Sequence, residues 1–132
     1  KITLAGTLTL PKVDKPCPVV VLISGSGPQD RNSEIFNHKP FWVIADHLSR
    51  NGIGVLRVDD RGVGKSTGDR TLATSLDFAS DVEAAVSYLK TKAEVNHKKM
   101  GLIFIQPIYL YVMQALLNTW PWAILQLIWG RV

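Results

Sequence analysis

The chain has 132 residues, enough for one small domain with a real core. Its 15 basic and 11 acidic residues leave a net charge of +4, spread along the sequence except for His97-Lys98-Lys99. A scattered excess without a basic and aromatic stripe argues against a nucleic-acid footprint, and a single cysteine, Cys17, excludes an internal disulfide.

The first residue is Lys1, and no charged-then-apolar leader pattern opens the chain. The start reads as the interior of a longer protein or as a processed product. Both a cytoplasmic and an exported setting fit. Ile2 to Leu10 alternates apolar and polar residues, with Gly6 as a bend, which predicts an edge antiparallel strand or hairpin. Pro11 to Pro18 holds three prolines and reads as a linker turn. Val19 to Ile23 is a continuous β-branched run, the pattern of a strand buried on both faces. A long polar loop from Ser24 to Lys39 follows, of the kind that often carries function.

Pro40 suits the first turn of a helix and Gly52 its end, with Phe41, Ile44, Ala45 and Leu48 on one face. Gly54 to Val58 is the next buried strand. Ser75 to about Lys92 is the clearest helix. Ser75 is the expected cap, Asp77 and Asp81 lie in the early turns, and Phe78, Val82, Val86 and Leu89 form the apolar stripe. Asp81, Glu83, Ser87 and Lys90 are expected to face water. Lys99 to Ile105 is a third parallel-type strand. This alternation predicts an α/β layer around a mostly parallel sheet, with no internal repeat.

Two motifs compete within Gly54 to Gly68. Gly64-Lys65-Ser66 supplies the second half of a phosphate-binding loop, but Asp59 stands where the first glycine belongs. A carboxylate there repels phosphate, and Thr67-Gly68-Asp69-Arg70 does not open a helix. Gly64-Lys65-Ser66-Thr67-Gly68 also matches G-x-S-x-G, which makes Ser66 a candidate nucleophile. That motif needs a strand running straight into a helix. Here five residues separate the strand from the motif, so a glycine-rich surface loop is the favoured reading. His38, His47 and His97 are far apart and, with Cys17, show no metal-ligand spacing, so no metal or cofactor is expected.

The wider pattern is a buried strand followed by Asp59-Asp60-Arg61-Gly62-x-Gly64-x-Ser66. Upstream stands Val19-Val20-Val21-Leu22-Ile23-Ser24-Gly25-Ser26-Gly27-Pro28-Gln29-Asp30-Arg31, and between them His38-Lys39-Pro40-Phe41, Ala45-Asp46-His47-Leu48 and Asn51-Gly52-Ile53. Over residues 3–103 this order of motifs resembles the α/β hydrolases, and most of all bacterial esterases and peptidase-like hydrolases with a Gly-Ser-Gly-Pro oxyanion loop. The resemblance implies the N-terminal part of an α/β-hydrolase fold and a parent enzyme that hydrolyses a small-molecule ester or related acyl substrate through a serine. It implies that Gly25, Ser26 and Gly27 form the oxyanion loop, with the Ser26 amide as donor. Asp60, Arg61, Gly62 and Gly64 would shape the loop beside the site, with Gln29, Asp30, Arg31 and Asp59 as its polar and charged neighbours.

In that family the strand equivalent to Met100-Gly101-Leu102-Ile103 runs into the nucleophile turn. This chain reads Phe104-Ile105-Gln106-Pro107 there, with no serine after Ser87 and no histidine after His97. A serine triad in the family's order cannot be assembled from these residues, so the chain alone is expected to be inactive. From Met100 to Gly130 there is no Asp, Glu, Lys or Arg, while Pro107, Pro121 and several amides interrupt the run. Residues 104–132 therefore have three readings: out-of-frame or chimeric sequence, a membrane-associated anchor, or buried helices. Self-association through an exposed sheet edge is a further expectation.

Overall fold

The computed structural model describes residues 1–25, 27–34, 36–105 and 124–125. The elements in chain order are β1 (Gly6–Thr9), β2 (Cys17–Ile23), α1 (Pro40–Arg50), β3 (Gly54–Val58), α2 (Ser75–Lys90), β4 (Val95–Phe104) and β5 (Ile124–Leu125). They form one sheet in the order β1-β3-β2-β4-β5. β1 pairs antiparallel with β3, and the other pairings are parallel. The N-terminal alternation is therefore an antiparallel strand beside β3, with Gly6 inside it opposite Val58.

β2 begins earlier than the three prolines suggest. Cys17 is buried and Pro18 lies within the strand, at a point where the pairing with β4 shifts register. Proline has no N–H for the ladder, so an irregularity is what its presence in a strand requires. β4 likewise starts at Val95 rather than Lys99, because Val95 pairs with Cys17.

The two helices cover opposite faces. Phe41 and Ala45 of α1 pack on Leu22 and Val55. Ala85, Val86 and Leu89 of α2 pack on Val19, Val21, Leu56 and Leu102. Opposite faces follow from handedness. The chain leaves β2 for β3 in one direction and returns past β2 to β4 in the other, and right-handed crossovers then place the helices on different sides. Pro40 occupies the first turn of α1 as its fixed φ favours. Thr74, not Ser75, caps α2, in a capping box with Asp77.

Of the segment 104–132, only Phe104, Ile105, Ile124 and Leu125 are described, so the three readings of that stretch lie outside the described residues. Among the described residues no helix is long and apolar enough to cross a membrane.

Candidate active-site edge

The chain changes direction across β2, so the segments leaving β2 and β3 run from the carboxyl edge of the sheet to helices on opposite faces, α1 and α2. In open α/β sheets that divergence creates the ligand crevice. The Ile105 amide donates to the Ile23 carbonyl at 3.3 Å, which holds the exit of β4 beside the exit of β2. A cavity of about 70 Å³ opens at this edge, lined among others by Ile23, Ser24, Gly25, Asp60, Arg70 and Phe78. A larger groove of about 1010 Å³ runs along β1 and α2, lined by apolar residues such as Leu4, Leu8 and Tyr88 and by polar ones such as Arg61, Asp77 and Ser80.

Of the predicted oxyanion loop, Gly25 lines the cavity and Gly27 has a φ of +93°. Ser26 lies outside the described residues. The loop is tied to the end of β3 by two consecutive carboxylates. Asp60 accepts from the Ser24 hydroxyl at 2.8 Å and from the Gln29 amide at 3.1 Å, while its own amide donates to the Gln29 carbonyl at 3.1 Å. Arg70 reaches the same carboxylate at 2.9 Å. Asp59 points the other way. It accepts from Arg31 through the backbone amide at 2.8 Å, Nε at 2.9 Å and Nη2 at 2.6 Å.

The two carboxylates titrate in opposite directions. Burial pushes the Asp59 carboxyl up, but the Arg31 side chain and the Lys65 and Arg31 amides outweigh it and bring it down to about 2. Burial raises Asp60 above the ordinary carboxylate range, and the bonds from Ser24, Gln29 and Arg70 offset only part of that. The two-pronged Arg31 contact favours the ionised form of Asp59 more than one Arg70 contact and two neutral donors favour that of Asp60.

Ser66 is buried, not part of a free surface loop. Its hydroxyl donates to the Asp59 carbonyl at 2.8 Å and accepts from the Ala5 amide at 2.9 Å. It joins the N-terminal segment to the loop, in line with the Thr67 amide, which donates to the Thr3 carbonyl at 2.9 Å. The phosphate-loop likeness also has a local cause. The Lys65 amide, which in such a loop would face phosphate, donates to Asp59 Oδ2 at 3.0 Å, so the turn wraps its own anion. Gly64 sits at φ +56°, and a Cβ there would lie 2.5 Å from Asp59 Oδ2, which explains the glycine.

Arg61 does not face the crevice as a free cation. It makes a two-pronged contact with Asp81 through Nε at 2.7 Å and Nη2 at 2.8 Å, and also meets Asp77 at 3.1 Å. Asp81 is therefore engaged by Arg61 rather than by water, a correction to the amphipathic pattern of α2. Gly62 follows at φ +70°, turning the chain back so that its amide meets the Thr67 carbonyl. The Phe78 ring lies under both Arg70, at 5.0 Å, and Arg61, at 5.8 Å.

Sequence reasoning missed the partners more than the residues. Arg57 is buried in β3 and donates to Asn32 at 2.7 Å, with its pKa pulled down by burial and by Arg31. Asp30 holds the turn that follows, accepting from the Asn32 and Glu34 amides. His38, His47 and His97 are exposed and line neither cavity. Among the described residues no His, Cys, Asp or Glu group is placed to hold a metal ion.

No protein-family profile matches the chain. Esterase EstD from Thermotoga maritima is 39% identical over 93 residues, which cover 70% of this chain and 23% of the esterase. The chain thus spans under a quarter of that relative's length. Among solved structures, Est1E from Butyrivibrio proteoclasticus superposes with a TM-score of 0.66 at 20% identity, over 92% of this chain and 44% of its own. A hypothetical protein from Pseudomonas aeruginosa gives 0.63 at 27% identity, over 77% of this chain and 30% of its own. With this strand order, these opposed helices and these relatives, the chain carries the N-terminal part of an α/β-hydrolase fold over about residues 3–103 and is similar in sequence there to an esterase.

Proposed function

We propose that this chain carries the oxyanion-side half of an ester hydrolase's site and lacks the half that performs the attack. In the parent reaction a serine oxygen adds to the acyl carbon. The carbonyl oxygen becomes an oxyanion held by backbone N–H groups, the alcohol leaves, and water then releases the acid. Gly25, Ser26 and Gly27 are the residues proposed to hold that oxyanion. Asp60, Arg61, Gly62 and Gly64 keep the neighbouring loop in place without touching the substrate. The supporting observation is the position of Ile105, which is bonded to Ile23 beside this loop. The attacking serine of such an enzyme would have to emerge from that strand end, and the sequence there is Phe104-Ile105-Gln106-Pro107.

The chain alone is expected to give no ester turnover. A chromogenic short-chain ester assay on the chain and on Ser66→Ala tests this. Rates at buffer level in both support the proposal. Turnover that disappears in Ser66→Ala overturns it. The encoding DNA, read in other frames past codon 103, separates out-of-frame sequence from native sequence in 104–132. A Gly-x-Ser-x-Gly in another frame marks a shifted reading frame.

The charge-free run from Met100 to Gly130 supports a second reading, a non-catalytic fragment that contacts a membrane or partner through residues 104–132. Detergent dependence of the purified chain that is lost on deleting 104–132 would favour it.

A further inference from the structure

The crevice loop is fastened at both ends by one side chain. Ser24 is the first residue after β2, and its hydroxyl donates to Asp60 Oδ1 at 2.8 Å. Gln29 closes the glycine-rich stretch, and its amide donates to Asp60 Oδ2 at 3.1 Å. The backbone completes the grip, since the Asp60 amide donates to the Gln29 carbonyl at 3.1 Å. Arg70, backed by the Phe78 ring, fixes the carboxylate itself at 2.9 Å. Asp59, the preceding residue, instead binds Arg31, beyond this stretch, and the Lys65 amide.

We propose that Asp60 is the positioning residue of the crevice loop: its carboxylate clamps Ser24 and Gln29 together and so presets the backbone between them. This rests on the reading of that backbone as the oxyanion-holding segment. Donors aimed in advance at a developing charge need no reorganisation at the moment of reaction, so whatever fixes their direction contributes to catalysis without touching substrate. Gly25 and Gly27 carry no Cβ to restrict their backbone, and the clamp spans both.

The test reads amide signals in the intact chain by NMR and hydrogen exchange. In Asp60→Ala the Gln29 amide should exchange about tenfold faster or more, the scale of one lost charge-assisted hydrogen bond. The Gly25 and Gly27 resonances should shift or broaden. The Arg31 amide, held by Asp59, and the sheet amides of Val21 and Leu56 should keep their protection. Ser24→Ala should reproduce the change at Gly25, and Ser24→Thr, which restores a hydroxyl, should reverse it. A folded Asp60→Ala with Gln29 exchange as in the parent chain overturns the proposal, as does Ser24→Thr behaving like Ser24→Ala. Should Asp60→Ala fail to fold, Asp60→Asn decides. It keeps the shape and removes the charge, and an unchanged Gln29 rate sinks the clamp. Exchange rates require no acyl ligand, so their failure strikes the clamp alone, whereas Ser66-dependent ester turnover strikes the functional reading alone.

Discussion

The loops that follow β2 and β3 differ sharply from the exit of β4, although all three share one edge of the sheet. The first two are bound into each other by charge. Asp59 takes a fork from Arg31, Asp60 joins Ser24 to Gln29, and Arg61 is locked to Asp77 and Asp81. The exit of β4 carries Ile105, 40% exposed, whose amide, among the described residues, bonds to the Ile23 carbonyl. A crevice needs both walls. On the proposed reading the first two loops are the wall that would orient a substrate, built in detail, while the described part of the opposite wall carries no reactive group.

That contrast can be broken first at its strongest point. Arg31→Ala leaves the buried Asp59 carboxylate unpaired, and losing one partner of such a pair costs about 3 kcal/mol or more. Urea unfolding should show the midpoint falling accordingly, and a loss under about 1 kcal/mol would mean that the fork is ornamental.

Acid offers a smaller effect. Asp59 is depressed to about 2, so its stabilisation is complete above the ordinary carboxylate range and is lost as pH falls toward 2. The shift corresponds to about 2 kcal/mol. Asp60 has the opposite sign. Its raised pKa favours the folded state at low pH, and that contribution fades as pH rises. Stability measured from pH 5 to 2 should therefore decline in the parent chain and decline less steeply in Asp59→Asn. Equal slopes would contradict the assignment.

The smallest effect belongs to the other wall. Ile105→Ser should change stability by no more than about 0.5 kcal/mol, because the side chain is exposed and its bond to Ile23 is made by the backbone. A larger loss in chemical denaturation would show that side chains fix the exit of β4 as firmly as they fix the two loops beside it.

Much of the fold was legible in the sequence because its signals are local. β-branched runs mark β2 and β3, proline marks the start of α1, and the spacing of Val82, Val86 and Leu89 marks α2. The strand order was not legible as such, since pairing joins residues far apart, such as Leu8 with Leu56 and Val21 with Leu102. The same distinction holds at the crevice. Gly25, Gly27, Asp60 and Arg61 stood out by motif, but their partners did not. Asp81 looked like an outward-facing helix residue until Arg61 arrived from 20 positions away. Ser66 carried the motif of a nucleophile and the environment of a strut. Only the positions of Ala5 and the Asp59 carbonyl distinguish the two. Arg57 gave no signal beyond being a charge within a buried strand.

The central claim is that this edge holds an oxyanion-side wall without an activated serine. The most direct measurement is labelling of the whole chain with a fluorophosphonate probe, followed by intact mass and peptide mapping. The account predicts no adduct on any serine, Ser66 included. A stoichiometric adduct on Ser66 that is lost in Ser66→Ala would contradict it.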